Sequence, residues 1–228
     1  AVTDSVIQNN STTWPYNSGG AGIVSINSTL ALSGVEADGN TCLHQCHGGF
    51  LYTQFGEISV TQSRITNNIS NNLAGAIRIR GSIIEVTNSI IAGNSELSTS
   101  SARAHALYAS EGSTVIITNS AVVGNGNQGT NSVSRGILTN TNSKMVVLNS
   151  IIAYNRGVEI ATDQPSTIDW STIYDNSGST MTPAAQTILN DGSGNNQLNP
   201  VFIGDGLTTN PFLVASMNAF DFQLQSTS

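Results

Sequence analysis

One asparagine, returning at Asn10, Asn40, Asn68, Asn94, Asn125, Asn155 and Asn176, constrains this chain more than any other feature. The intervals are 30, 28, 26, 31, 30 and 21 residues. The residues leading into each marker repeat too, as in Ser63-Arg-Ile-Thr-Asn-Asn68, Ser89-Ile-Ile-Ala-Gly-Asn94 and Ser150-Ile-Ile-Ala-Tyr-Asn155. Three residues before the marker stand Ile7, Ala37, Ile65, Ile91, Val122, Ile152 and Ile173. Eight before it stand Leu32, Val60, Val86, Ile117, Val147 and Ile168, and ten before it Leu30, Ile58, Ile84, Val115 and Met145, with Ser166 breaking the series. Positions ten and eight share one strand face at period two, and position three belongs to a further short strand beyond a polar turn. Upstream, Ala76-Ile-Arg-Ile-Arg80 supplies a third alternation with Ile77 and Ile79 on one face.

Three short strands per unit describe a coil of triangular section, and the expected fold is all-β, a right-handed parallel β-helix (solenoid) of about seven coils. The irregular part follows the marker, as at residues 95–102 and 126–131, so variable loops are expected along one edge. Leucine-rich repeats share the period but need regular Leu spacing and a helical segment. A β-sandwich gives no reason for position-specific Ser and Asn. Stacked at about 4.8 Å, each aliphatic side chain meets its own equivalent above and below. Two reasons are expected for the marker Asn: it tolerates the left-handed backbone conformation, and its amide can donate to one coil while accepting from the next. The coils are assigned to residues 1–177 and a closing segment of the same domain to 178–228. Because residues 4–10 read as the tail of a coil, the chain is expected to be a fragment of a longer polypeptide.

Composition narrows the partners. Charged residues make up 9% of the chain, with seven Lys and Arg and a formal charge of -7, so the clustered cations that nucleic acid requires are missing. No apolar run approaches the roughly 20 residues that span a bilayer as a helix. Few Lys and many Asn, Ser and Thr fit an extracellular or cell-surface location.

The segments Asn88-Ser-Ile-Ile-Ala-Gly-Asn94, Asn119-Ser-Ala-Val-Val-Gly-Asn125 and Asn149-Ser-Ile-Ile-Ala-Tyr-Asn155 resemble the repeats of bacterial right-handed parallel β-helix proteins. Gly19-Gly-Ala-Gly22 and Ala74-Gly-Ala-Ile77 are similar to strand starts of polymorphic outer-membrane adhesins. Gly194-Asn-Asn-Gln-Leu-Asn-Pro-Val-Phe-Ile203, followed by Asp221-Phe-Gln-Leu224, is similar to the closing segment of the β-helix proteins grouped as choice-of-anchor Q. Asn199 stands where that family has Asp, and the chain ends at Ser228 ahead of the family's Ser-Pro-Ala-Ile-Asp stretch. The resemblance implies a surface-displayed scaffold and says little about activity.

Candidate chemistry is sparse. Glycoside hydrolysis needs two close carboxyls and a lyase needs a base with a cation or calcium site, yet Glu57, Glu85 and Glu111 occur singly. Glu159, Asp163, Asp169 and Asp175 form the one compact acidic group, a calcium or catalytic candidate set against solvated turn residues. Arg78 and Arg80 alternate with Ile77 and Ile79, so both are expected to face outward, as candidates for an anionic glycan. Arg80 and Glu111 each stand fourteen residues before a marker, which predicts an ion pair between adjacent coils. Cys42-Leu-His-Gln-Cys46-His47 admits a local disulfide, a zinc site using Cys42, His44, Cys46 and His47, or covalent attachment of haem c. The remaining histidine, His105, reads as structural. Outward Thr87 and Thr118 lack the paired columns that ice binding uses. The leading expectation is a non-enzymatic scaffold or adhesin segment, without cofactor, contacting protein or glycan. The alternatives are a polysaccharide lyase or hydrolase, and a haem- or metal-carrying surface protein.

Overall fold

The computed structural model describes residues 1–12, 19–44, 46–98, 103–126, 135–140, 142–156, 158–159, 166–174, 202–203 and 223–224. No helix occurs among them, and the strands stack into a parallel β-solenoid. A first face holds Val2–Thr3, Thr29–Ser33, Glu57–Thr61, Ile83–Thr87, Thr114–Thr118, Lys144–Leu148 and Thr167–Asp169. A second holds Val6–Gln8, Glu36–Asp38, Arg64–Thr66, Ile90–Ala92, Ala121–Val123, Ile151–Ala153 and Thr172–Tyr174. The third, which precedes the first within each coil, holds Ile23–Ile26, Leu51–Gln54, Ile77–Arg80, Ala104–Ser110, Arg135–Thr139 and Val158–Glu159.

Two expectations need correction. The section is not a plain triangle, because Ser11–Thr12, Thr41–Cys42, Ile69–Ser70 and Ser95–Glu96 add a short fourth face after the second. The solenoid amounts to about 5 turns rather than seven. Among the described residues, Val158–Glu159 is the last strand of the third face. Phe202–Ile203 and Gln223–Leu224, from the two closing motifs, pair antiparallel. The rest of 178–228 and the marker Asn176 lie outside the described residues.

Register explains the core. Ile7, Ala37, Ile65, Ile91, Val122, Ile152 and Ile173 are direct partners across the second face. Leu32, Val60, Val86, Ile117, Val147 and Ile168 form an equivalent file on the first face. Both files enter one aliphatic cluster, joined from the third face by Leu51, Ile77, Leu107 and Ile137. Burying one such side chain contributes about 1.5–3 kcal/mol.

The marker Asn residues close the corner between the second and short faces. Nδ2 of Asn10, Asn40, Asn68, Asn94 and Asn125 donates to Oδ1 of the next marker at 2.8, 2.9, 3.0, 3.0 and 2.8 Å. The same oxygens accept the backbone N–H of the preceding marker. From Asn40 to Asn155 the markers are wholly buried. Contrary to expectation, the left-handed residue is the one before each marker: Asn9, Gly39, Asn67, Gly93, Gly124 and Tyr154 all have positive φ. The chain reverses there, which frees the marker's amide to point inward.

Serine plays the equivalent part elsewhere. Backbone N–H groups of Val35, Ser63, Ser89, Ser120 and Ser150 donate to the hydroxyl one coil on, at Ser63, Ser89, Ser120, Ser150 and Ser171. That corner is always two residues long, whereas the path from the short face to the third varies; the corner between the third and first faces also lengthens, from two residues after Arg80 to three after Ser110 and four after Thr139, so length variation is not confined to the one edge expected. Replacing Asn94 by Ala removes donors to Ile65, Ala92 and Asn125 and strands Asn68. We expect a loss of roughly 2–4 kcal/mol in urea unfolding, against less than about 0.5 kcal/mol for Glu85→Gln on the exposed first face.

Candidate functional site

The third face carries the arginines marked by the sequence. Its core-facing file is Ile23, Leu51, Ile77, Leu107 and Ile137, so Val24, Tyr52, Arg78, Tyr108 and Leu138 form the file pointing away from the core. Arg78 and Arg80 both turn outward, but only Arg80 reaches solvent. Arg78 is 5% exposed, because Tyr52 and Tyr108 flank it on neighbouring strands. Its guanidinium carbon lies 4.1 Å from the Tyr108 ring centroid, a cation–π contact. Nη1 donates to the carbonyls of Ile79 at 2.6 Å and Tyr108 at 3.2 Å, and Nη2 to Ser110 Oγ at 2.6 Å. Burial pushes the Arg78 guanidinium below its ordinary pKa, while Tyr108, Tyr52 and Glu111 act in the opposite sense.

Arg80 Nε donates to Glu111 Oε1 at 2.7 Å. Both ends are exposed, so the pair contributes at most about 1 kcal/mol. The strand partner of Arg80 is Ser110 rather than Glu111, because this coil carries an extra turn residue at Glu111 and Gly112, both at positive φ. The same insertion hid Tyr108: Tyr52 and Arg78 stand sixteen residues before their markers, and Tyr108 seventeen.

Cys42 and Cys46 are joined as a disulfide, with Cα atoms 5.8 Å apart, and both are buried. Sulfurs so joined offer neither the thiolates of a zinc site nor the thiols that attach haem. His44 is exposed, while the His47 ring stacks on Tyr52 with centroids 4.7 Å apart. Among the described residues no three His, Cys, Asp or Glu side chains gather as a metal site. Of the acidic group, Asp163 and Asp175 lie outside the described residues. The backbone of Glu159 pairs with Leu138, and the Asp169 carbonyl accepts the Ser171 hydroxyl.

His105 is wholly buried behind the short face, where Nδ1 accepts the Glu96 N–H at 2.9 Å. A Cβ added at Gly126, whose φ is +104°, would stand 2.7 Å from the His105 ring, so the close approach requires glycine. Desolvation, helped by Arg156, lowers its pKa to about 3.

A second surface was not foreseen. Along the corner between the first and second faces runs a groove of about 430 Å³, lined by Asn88, Ser89, Ile90, Asn119, Ser120, Ala121, Asn149 and Ile151. Every lining residue is uncharged. Asn88, Asn119 and Asn149 are exposed left-handed corner residues, and Asn149 Nδ2 donates to Asn119 Oδ1 at 2.7 Å. One rung beyond Asn149, the same position holds Trp170, with φ 53° and 68% exposed. All four stand six residues before a marker, a sequence signal that was available. Fold and surface together define a parallel β-solenoid with an uncharged axial groove. No family model, curated protein or solved structure matches the chain.

Two outcomes follow for these residues. Intact mass should rise by about two hydrogens on reduction, with no further adduct lost. Folded His105 titrates near 3 and the unfolded residue near 6.5, so its contribution is present above 6.5 and declines as pH falls toward 3. Stability should drop by up to about 1.4 kcal/mol per pH unit in that window, and His105→Gln should flatten the urea midpoint there.

Proposed function

We propose that this chain is a non-enzymatic scaffold segment of an extracellular or cell-surface β-helix protein, and that it holds a neutral glycan along its corner groove. The observation that carries this is that Trp170, 68% exposed, continues in register the file of Asn88, Asn119 and Asn149 that lines the groove. Exposed carboxamides on successive rungs supply donors and acceptors for hydroxyls, while Ile90, Ala121 and Ile151 give an apolar floor. Rungs spaced by about 4.8 Å suit one pyranose unit of an extended chain. A sugar's C–H face would stack on the Trp170 ring, and a bulky residue in the left-handed region costs about 1–2 kcal/mol, a cost carried here by a side chain that stays in solvent.

Resemblance to choice-of-anchor Q and polymorphic outer-membrane adhesins supports surface display, and the buried disulfide suits an oxidising compartment. Cleavage needs converging carboxylates; none lines this groove, and Glu111 on the third face is engaged by Arg80.

Affinity electrophoresis in gels containing cellulose, xylan, mannan or dextran derivatives tests the proposal. Retardation by at least one neutral polymer is expected, reduced about tenfold in affinity by Trp170→Ala, with the far-UV spectrum and melting temperature kept. Product analysis should show no new reducing ends or unsaturated sugars. Cleavage of any polymer would sink the non-enzymatic assignment, and equal binding by Trp170→Ala would sink the groove.

A further inference from the structure

We infer that the third face holds a site for a single oxyanion group, a carboxylate, sulfate or phosphate, built by Arg78 with His47 and Arg103 at its half-buried rim. It lies on a different face from the corner groove and does not depend on the glycan reading.

Charge distribution is the first ground. The chain has seven Lys and Arg and a formal charge of -7. Four of those cations, Arg78, Arg80, Arg103 and Arg135, nevertheless lie on the third face or immediately before one of its strands. Arg78 is buried, yet each hydrogen bond it donates goes to a neutral oxygen: two carbonyls and a hydroxyl. The carboxylate acting on it, Glu111, is already bonded to Arg80. A buried cation without a paired anion is costly.

Unpartnered buried nitrogens are the second ground. Arg78 Nε, Arg103 Nε and His47 Nδ1 are all buried without a hydrogen-bond partner among the protein atoms. Backbone pairing places their residues on three adjoining coils. The His47 carbonyl accepts the Ala74 N–H at 3.0 Å, and the Leu73 carbonyl accepts the Ala104 N–H at 3.0 Å, which sets His47, Leu73 and Arg103 on successive coils. His47 stacks on Tyr52, the strand partner of Arg78, and Arg103 reaches back to Asn72 Oδ1. The closeness also shows in His47 itself: after burial, Arg78, Arg80 and Arg103 are what hold its proton affinity down. Two guanidinium Nε–H groups and an imidazole nitrogen without partners are what an oxyanion bridging these coils would satisfy, and charge-assisted bonds to guanidinium are the strong ones.

Isothermal titration of the full chain with sodium sulfate, glucuronate and chloride, at matched ionic strength, tests the site. Saturable binding of sulfate or glucuronate with no counterpart for chloride is expected. Preference for glucuronate would assign a sugar carboxylate, and preference for sulfate an inorganic or sulfated group. Arg103→Gln should weaken binding about tenfold while keeping the wild-type spectrum and melting temperature. Arg80→Gln, whose charge is exposed and already paired, should stay within about twofold. Arg78→Met should abolish binding; should it not fold, Arg103→Gln and His47→Asn at the rim carry the test. Heats equal to those of chloride, or unchanged affinity in both rim variants, would overturn the site.

Discussion

In-register parallel pairing is the constraint on which the rest of this molecule depends. Because each strand lies beside its own equivalent one coil away, a side chain is buried against the same kind of side chain above and below. A one-residue slip would turn Ile65, Ile91 and Val122 outward together and bring polar neighbours into the core. Register is therefore held at the corners. The Asn chain does so between the second and short faces, and the Ser chain between the first and second. Each bond contributes only about 1 kcal/mol, but every coil repeats them, and leaving one partner unmade costs more than the bond itself.

Division of labour follows from that arrangement. The two-residue Asn and Ser corners cannot change length without breaking the ladders, so insertions collect between the short and third faces and, from Ser110 onward, between the third and first. The disulfide and His47 lie on that path, and Arg103 ends it two coils further on. The Asn-lined groove lies on a fixed corner instead, where identical geometry on successive rungs makes a periodic surface. A variable edge suits a local, individual site, and a fixed corner suits a ligand that repeats.

The repeating parts were legible because stacking imposes one chemical identity at one offset. Ile91 and Asn94 declare themselves by recurrence, and so, at six residues before the marker, do Asn88, Asn119 and Asn149 with Trp170 in their place. The fate of Arg78 was not legible. Alternation with Ile77 and Ile79 shows that it leaves the core, yet outward is not the same as exposed, and only its neighbours Tyr52 and Tyr108 decide the difference. The extra residue at Glu111 and Gly112 moved Tyr108 off the common offset and kept it from view.

Sequence alone determined the solenoid, the aliphatic files and the positions of the ladder asparagines, because these depend on period and residue type, which a linear string records in full. Tertiary structure decided the fourth face, the shift of the left-handed residue to the position before each marker, the burial of Arg78 and the pairing of Cys42 with Cys46. Each of these turns on what lies beside a residue in space, one coil or one face away. Distances of that kind are set only when the coils close on one another.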